Sequence, residues 1–160
     1  MLPSFFGAYI RARLLNGEDK EHGDASTVFA AALLPSLRRF LRDKALATPV
    51  LFTDNVSNRV LAVHLTLRDG STFVAVNVRF KIDPETLAHT LVEEFVHAQQ
   101  VLDGVDFAAQ RQQFPEYASR PYEQEAKRIA SEILGYLPEE YTVYLLREEP
   151  AGALYDRPAC

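Results

Sequence analysis

Cysteine is almost absent from this sequence: the only one is Cys160. An intrachain disulfide is therefore excluded, as is a zinc site built from several cysteines, and this usage fits a cytoplasmic protein. Long apolar runs are missing too. The segment from Leu2 to Ile10 is interrupted by Pro3 and Ser4 and has no basic residue before it, so it reads neither as a signal peptide nor as a bilayer span. A soluble chain without a membrane partner is the expectation. Basic charge is in deficit: 17 Lys and Arg against 22 Asp and Glu leave a formal net charge of −5, which argues against nucleic acid as a partner, because phosphate binding wants clustered cations. One short basic run exists at Arg38, Arg39, Arg42 and Lys44. Its spacing is helical and predicts a solvated helix face. There is no Gly-rich phosphate loop, no nucleophile elbow around a serine and no internal repeat.

What is present suffices for one folded domain over residues 1–160. Hydrophobic residues make up 48% and charged residues 24% of the 160, the balance of a globular chain with a real core. Phe5, Phe6, Tyr9, Ile10, Arg13 and Leu14 predict a first helix that fades at Asn16-Gly17. A second helical stretch, capped by Asp24 or Ser26, runs to about Leu46, with Pro35 kinking or splitting it. Pro49 to Thr53 reads as a short strand. Strands over 60–68 and 71–80 flank Asp69-Gly70, a two-residue hairpin signal. Pairing Arg68 with Ser71 would set Leu65 opposite Val74, Val63 opposite Val76 and Leu61 opposite Val78, all on one face, with His64 and Ala75 on the other.

Asp83-Pro84-Glu85 then opens a helix over 84–102, with Asp83 as its cap and Pro84 in its first turn, ending at Asp103-Gly104. The stretch from Val105 to Ala118 is irregular or holds one short helix. Another helix follows over 120–134, stopped by Gly135. Tyr141 to Arg147 has strand character, and the tail from Glu148 reads as irregular. N-terminal helices, a small and mainly antiparallel sheet, and two later helices make an α+β domain.

On the helix over 84–102, Leu87, Leu91, Phe95, Ala98, Val101 and Leu102 form an apolar stripe. Glu93 and His97 lie together on its flank, one turn apart, close enough to share a metal ion. Glu94 lies between that pair and the stripe. This is the logic of H-E-x-x-H, in which two residues at i and i+4 hold zinc and the intervening glutamate is the general base. Here the pattern reads Glu93-Glu94-Phe95-Val96-His97, followed by Ala98-Gln99-Gln100.

The segment from Leu87 to His97, with Pro121-Tyr122-Glu123-Gln124-Glu125-Ala126 downstream, resembles the active-site and ligand helices of gluzincin-type metallopeptidases of the zincin group. The first histidine of the motif is replaced by Glu93. The resemblance covers roughly residues 59–135. It implies His97 as second metal ligand, Glu94 as general base and Glu123 as third ligand, with Glu93 in the first ligand position. Glu125 is the competitor for the third place; Glu123 is preferred because it lies near Ala126 and Ala130, whereas Glu125 lies near Arg128 and Glu132 on a face that reads as solvated. The resemblance implies a zincin-like hydrolase that cleaves peptide or amide bonds, and a divalent metal as cofactor. That metal would be zinc, with manganese or iron favoured more than usual because two anionic ligands suit harder ions.

Other readings of the same residues stand beside this one. Glu93 and His97 four apart also describe an ordinary helix pair. His89 continues their stripe, but about 12 Å of helix rise separates it from His97; it could serve as an accessory group, and a solvent-exposed helix histidine is the plainer expectation. Glu94-x-x-His97 as half of a di-iron motif needs a helix bundle and a second Glu-x-x-His; only one copy exists here, and the hairpin contradicts a bundle. His22 and His64 have no partner pattern. Tyr117 and Tyr122 are candidates to line a cleft, Tyr122 more readily as a core residue. The functional alternatives to a hydrolase are a zincin-fold protein that binds a peptide or protein without turnover, and a plain interaction domain that shares only the helix pattern.

Overall fold

The computed structural model describes residues 4–17, 23–138 and 143–145. The first of these segments is α1 (Ser4–Leu15), and the expected long second helix is divided into α2 (Gly23–Ala32), α3 (Leu34–Phe40) and α4 (Asp43–Leu46). Pro35 sits in the first turn of α3, where its missing N–H costs nothing. Arg38, Arg39, Arg42 and Lys44 are exposed as expected, but they are divided between α3, the link after it and α4 rather than set on one helix face.

Three strands follow: β1 (Val50–Thr53), β2 (Ala62–Thr66) and β3 (Thr72–Asn77). They form one sheet in the order β1-β3-β2. β2 and β3 are the expected antiparallel hairpin, while β1 runs parallel to β3. A separate short strand, β4 (Phe80–Ile82), pairs antiparallel with β5 (Val143–Leu145). The sheet is therefore less antiparallel than expected. The second hairpin strand stops at Asn77, because the Asn77 side chain takes over the local bonding: its amide donates to the carbonyls of Ser57 and Val60, and its oxygen accepts from the Arg79 backbone. Beyond Val143–Leu145, the expected strand over 141–147 and the tail from Glu148 lie outside the described residues.

The hairpin register is one residue from the expected one. His64 lies opposite Val74, Val63 opposite Ala75 and Leu65 opposite Phe73. Asp69-Gly70 is not a two-residue turn; Arg68, Asp69 and Gly70 together make a three-residue loop. Leu67 N–H donates to the Ser71 carbonyl at 2.8 Å, and Gly70 takes φ +85°, the left-handed residue that such loops require. Asp69 holds the loop by accepting from the backbone and hydroxyl of Ser71 at 2.9 and 2.6 Å. The slip has a consequence for packing. Val63, Leu65, Ala75 and Phe73 build a small core with Val56 and Val60. Ala62, Val74 and Val76 turn to the main core, and His64 shares their face.

That main core is organised around α5 (Pro84–Leu102), whose ends fall where the sequence placed them. Asp83 caps it by accepting from Thr86 N–H at 3.1 Å. The helix is not amphipathic in place: every residue from Thr86 to Gln100 is buried. β2 and β3 cover one side, α1 and α4 others, and α7 (Pro121–Leu134) another. Phe95 is fully buried and meets Phe5 of α1 edge-on at 5.5 Å; sealing a side chain of this size contributes about 1.5–3 kcal/mol. Between α5 and α7 the chain forms α6 (Phe107–Gln113) and a single 3-10 turn over Tyr117–Ser119. Among the described residues no helix is long and apolar enough to cross a membrane.

Two glycines test this description. Gly7 lies in α1 and Gly70 in the hairpin loop, and a methyl group at either position meets no atom within 4 Å. Only backbone conformation separates them. Gly7→Ala is expected to stabilise the protein by about 0.5–1 kcal/mol, and Gly70→Ala to destabilise it by about 1–2 kcal/mol. Urea denaturation measures both, and effects of the same sign would contradict the three-residue loop.

Candidate functional site

The polar residues of α5 face α7. The two helices run antiparallel, so His89 meets Ser131 while His97, two turns on, meets Glu123. Ala126 and Ala130 are both fully buried at the contact, and their small side chains leave room for the polar groups of α5 between the helices. A seam of hydrogen-bonding groups thus runs along an interface that apolar residues close on either side.

At one end of the seam, His97 Nε2 lies 3.2 Å from Glu123 Oε2. Tyr117, from the 3-10 turn, donates its hydroxyl to the same carboxylate oxygen at 2.8 Å. His97 Nδ1 lies 2.8 Å from Gln100 Oε1. The rings of Tyr122 and Phe107 stand edge-on to the imidazole at 5.8 and 6.4 Å. Burial disfavours the charged imidazolium of His97, but the Glu123 hydrogen bond and the charges of Glu94 and Glu123 outweigh it and raise its pKa to about 9. Burial likewise works against the Glu123 carboxylate, and the hydrogen bond and charge of His97 reverse it, so its pKa is lowered.

This pair opens on a pocket of about 490 Å³. Glu94 and His97 from α5 line it, with Glu123 from α7, His64 from β2 and the ring of Tyr117. Arg111 and Arg120 bring positive charge to the same cavity. Arg120 also ties the loop before α7 together by donating to the carbonyls of Phe114 and Pro115. The wall opposite α7 is Val63 to Thr66 of β2, which pairs only with β3 among the described strands.

At the other end of the seam, His89 is not the exposed helix histidine that was expected. Both His89 and Glu93 are completely buried, with His89 Nδ1 2.8 Å from Glu93 Oε1. α7 covers them, which a wheel of α5 alone cannot show. The hydroxyl of Ser131 donates to the Lys127 carbonyl at 2.8 Å and lies 3.2 Å from His89 Nε2. Glu93 does not line the pocket. The structure therefore brings together His97 and Glu123 with Glu94 beside them, and turns Glu93 toward His89. Glu125 is exposed, and its carboxylate accepts from Gln100 Nε2 at 3.0 Å. Among the described residues no three His, Cys, Asp or Glu side chains are disposed to hold one metal ion.

His64, Gln100 and Arg111 are pocket or seam residues that the sequence did not single out. His64 was set aside for want of a partner pattern, and the register slip is what brings it to the α5 side. Gln100 carried a signal, because it extends the Glu-Glu-x-x-His motif on the same helix. Tyr117 was named as a cleft residue and lines the pocket; Tyr122 is both buried and at the pocket wall.

The His97–Glu123 pair makes stability depend on pH in metal-free protein. The raised pKa of His97 adds stability that is fully present below its ordinary value of 6.5 and is lost as pH rises through about 9. The lowered pKa of Glu123 adds stability present above its ordinary value of 4.5 and lost as pH falls through the depressed one. Urea denaturation of wild type and Glu123→Gln, with chelator, is expected to show the largest difference between pH 4.5 and 6.5, shrinking toward pH 9. A difference independent of pH across that range would contradict the ion pair.

Compared with known proteins, the chain matches no protein-family model, no curated protein and no solved structure.

Proposed function

We propose that the chain is a small zincin-like, metal-dependent hydrolase of peptide or amide bonds, with its active cleft in the pocket between β2, α5 and α7. The observation that carries this reading is the 3.2 Å separation of His97 Nε2 and Glu123 Oε2. Two ligands on one tetrahedral zinc, each bonded at roughly 2.0–2.1 Å, stand about 3.3 Å apart. The two residues come from separate helices and are the ones that the resemblance to gluzincins pairs. They fit a mount for a divalent ion, zinc foremost and manganese or iron as alternatives. Glu93 does not fit as a further ligand, because its carboxylate is engaged with His89 inside the helix interface. The ion would supply Lewis acidity toward the scissile carbonyl.

The chain's own residues have separable roles. Glu94, fully buried at the pocket wall, is the general base that takes a proton from the attacking water. Tyr117 orients the Glu123 carboxylate through its hydroxyl. The outer edge of β2 suits an extended peptide laid along the pocket, since a strand edge offers backbone donors and acceptors in register. A peptide or protein substrate and a cytoplasmic location belong to the same proposal.

A second reading, a zincin-fold protein that binds a peptide without turnover, is favoured by one observation: the residue in the first ligand position is held by His89. Zinc titration of chelator-treated protein separates the two. Wild type is expected to take up one equivalent, His97→Ala and Glu123→Gln to lose it, and Glu93→Gln to keep it. Against a peptide library, Glu94→Gln should retain the metal and lose cleavage by about 10²–10⁴-fold. Substoichiometric zinc uptake by wild type would sink the hydrolase reading, and peptide binding without cleavage by the zinc-loaded protein would establish the second.

A further inference from the structure

We infer that Gln100 is a positioning residue that holds the His97 imidazole with a proton on Nδ1, so that Nε2 is the nitrogen presented to Glu123 and the pocket. The inference rests on the reading of His97 as the imidazole ligand and names the group that orients it.

The argument turns on which end of the Gln100 amide faces the ring. One end lies 2.9 Å from the Tyr122 carbonyl oxygen and 3.0 Å from a carboxylate oxygen of Glu125. A carbonyl and a carboxylate both accept, so that end must be the amide nitrogen, which has two protons to give. The opposite assignment would set the amide oxygen against two other oxygens, with no proton between them. The oxygen is therefore the atom 2.8 Å from His97 Nδ1. It can only accept, so Nδ1 must donate. Gln100 is 3% exposed, which leaves little room for water to replace either set of partners.

The chain of donors runs back and forth between the helices. Glu125 and the Tyr122 carbonyl on α7 fix the Gln100 amide on α5. Gln100 fixes the His97 ring, and His97 Nε2 returns to Glu123 on α7. Glu125, weighed as a metal ligand from the sequence, acts here at one remove through Gln100. A partner on the second nitrogen is the usual way in which a protein fixes the tautomer and plane of a ligating imidazole.

The test uses chelator-treated protein with ring-labelled ¹⁵N-histidine, observed without metal at about pH 10, where His97 is past its pKa of about 9 and its ring carries one proton, and then near pH 7 after zinc is added. Three proteins are compared: wild type, Gln100→Leu and Glu125→Gln. In Glu125→Gln the new amide oxygen still accepts from Gln100 Nε2, so the Gln100 oxygen still faces Nδ1. A protonated Nδ1 of His97, read from its ¹⁵N shift, is expected in wild type and in Glu125→Gln, and its loss in Gln100→Leu. Zinc should shift Nε2 and leave Nδ1–H in place, and Gln100→Leu should weaken zinc binding roughly 10–100-fold, with little change in Glu125→Gln. A persistent Nδ1–H in Gln100→Leu, or zinc attached through Nδ1, would overturn the inference. Failure of wild type to bind zinc would overturn the metal reading alone, because the Nδ1–H comparison made before zinc is added decides the role of Gln100 by itself.

Discussion

The structure depends on the packing of α5 against α7. It buries a row of groups that individually prefer water, His89, Glu93, His97 and Gln100 on one helix and Glu123 on the other, with half-buried Ser131 beside them. Taking such groups out of water is costly unless each finds a partner. The antiparallel arrangement brings Ser131 to His89, and Glu123 and Glu125 to His97 and Gln100, while Glu93 finds His89 on its own helix. Ala126 and Ala130 leave the space in which the contacts form. The rest of the fold serves to hold the two helices in this relation: the sheet backs α5, and α1 closes its remaining apolar side through Phe5 and Phe95.

The polar seam has two ends with different surroundings. His89 and Glu93 are completely buried and do not line the pocket, which suits a structural role: a slip of the helices would part His89 from Ser131. His97 and Glu123 are nearly as buried but border the pocket, where Glu94, Tyr117 and His64 also converge. The same kind of contact that locks the helices at one end is presented to a cavity at the other. The raised pKa of His97 and the lowered one of Glu123 express how strongly that end favours opposite charges side by side.

Much of this was legible in the sequence, and the parts that were not have physical reasons. Both ends of α5 were readable from Asp83-Pro84 and Asp103-Gly104, because caps and stops are local chemistry. The stripe of Tyr122, Ala126, Ile129 and Ile133 on α7 was readable from helical periodicity, and all four are buried. The hairpin was readable, but its register was not: Asp69-Gly70 serves a two-residue or a three-residue loop equally well, and the one-residue difference decides which face His64 joins. The parallel pairing of β1 with β3 leaves no local mark either. For the site, the pairing of His97 with Glu123 came from a resemblance between motifs. The partner of Glu93 did not, because His89 looked exposed as long as the helix that covers it was unknown.

What remains is whether the His97–Glu123 end of the seam holds a metal ion. Anomalous diffraction from crystals of the zinc-loaded protein measures this most directly. The account predicts one zinc peak within bonding distance of His97 Nε2 and Glu123 Oε2, with Glu93 still against His89. A peak ligated by Glu93 or His89, or no peak at His97 and Glu123, would contradict it.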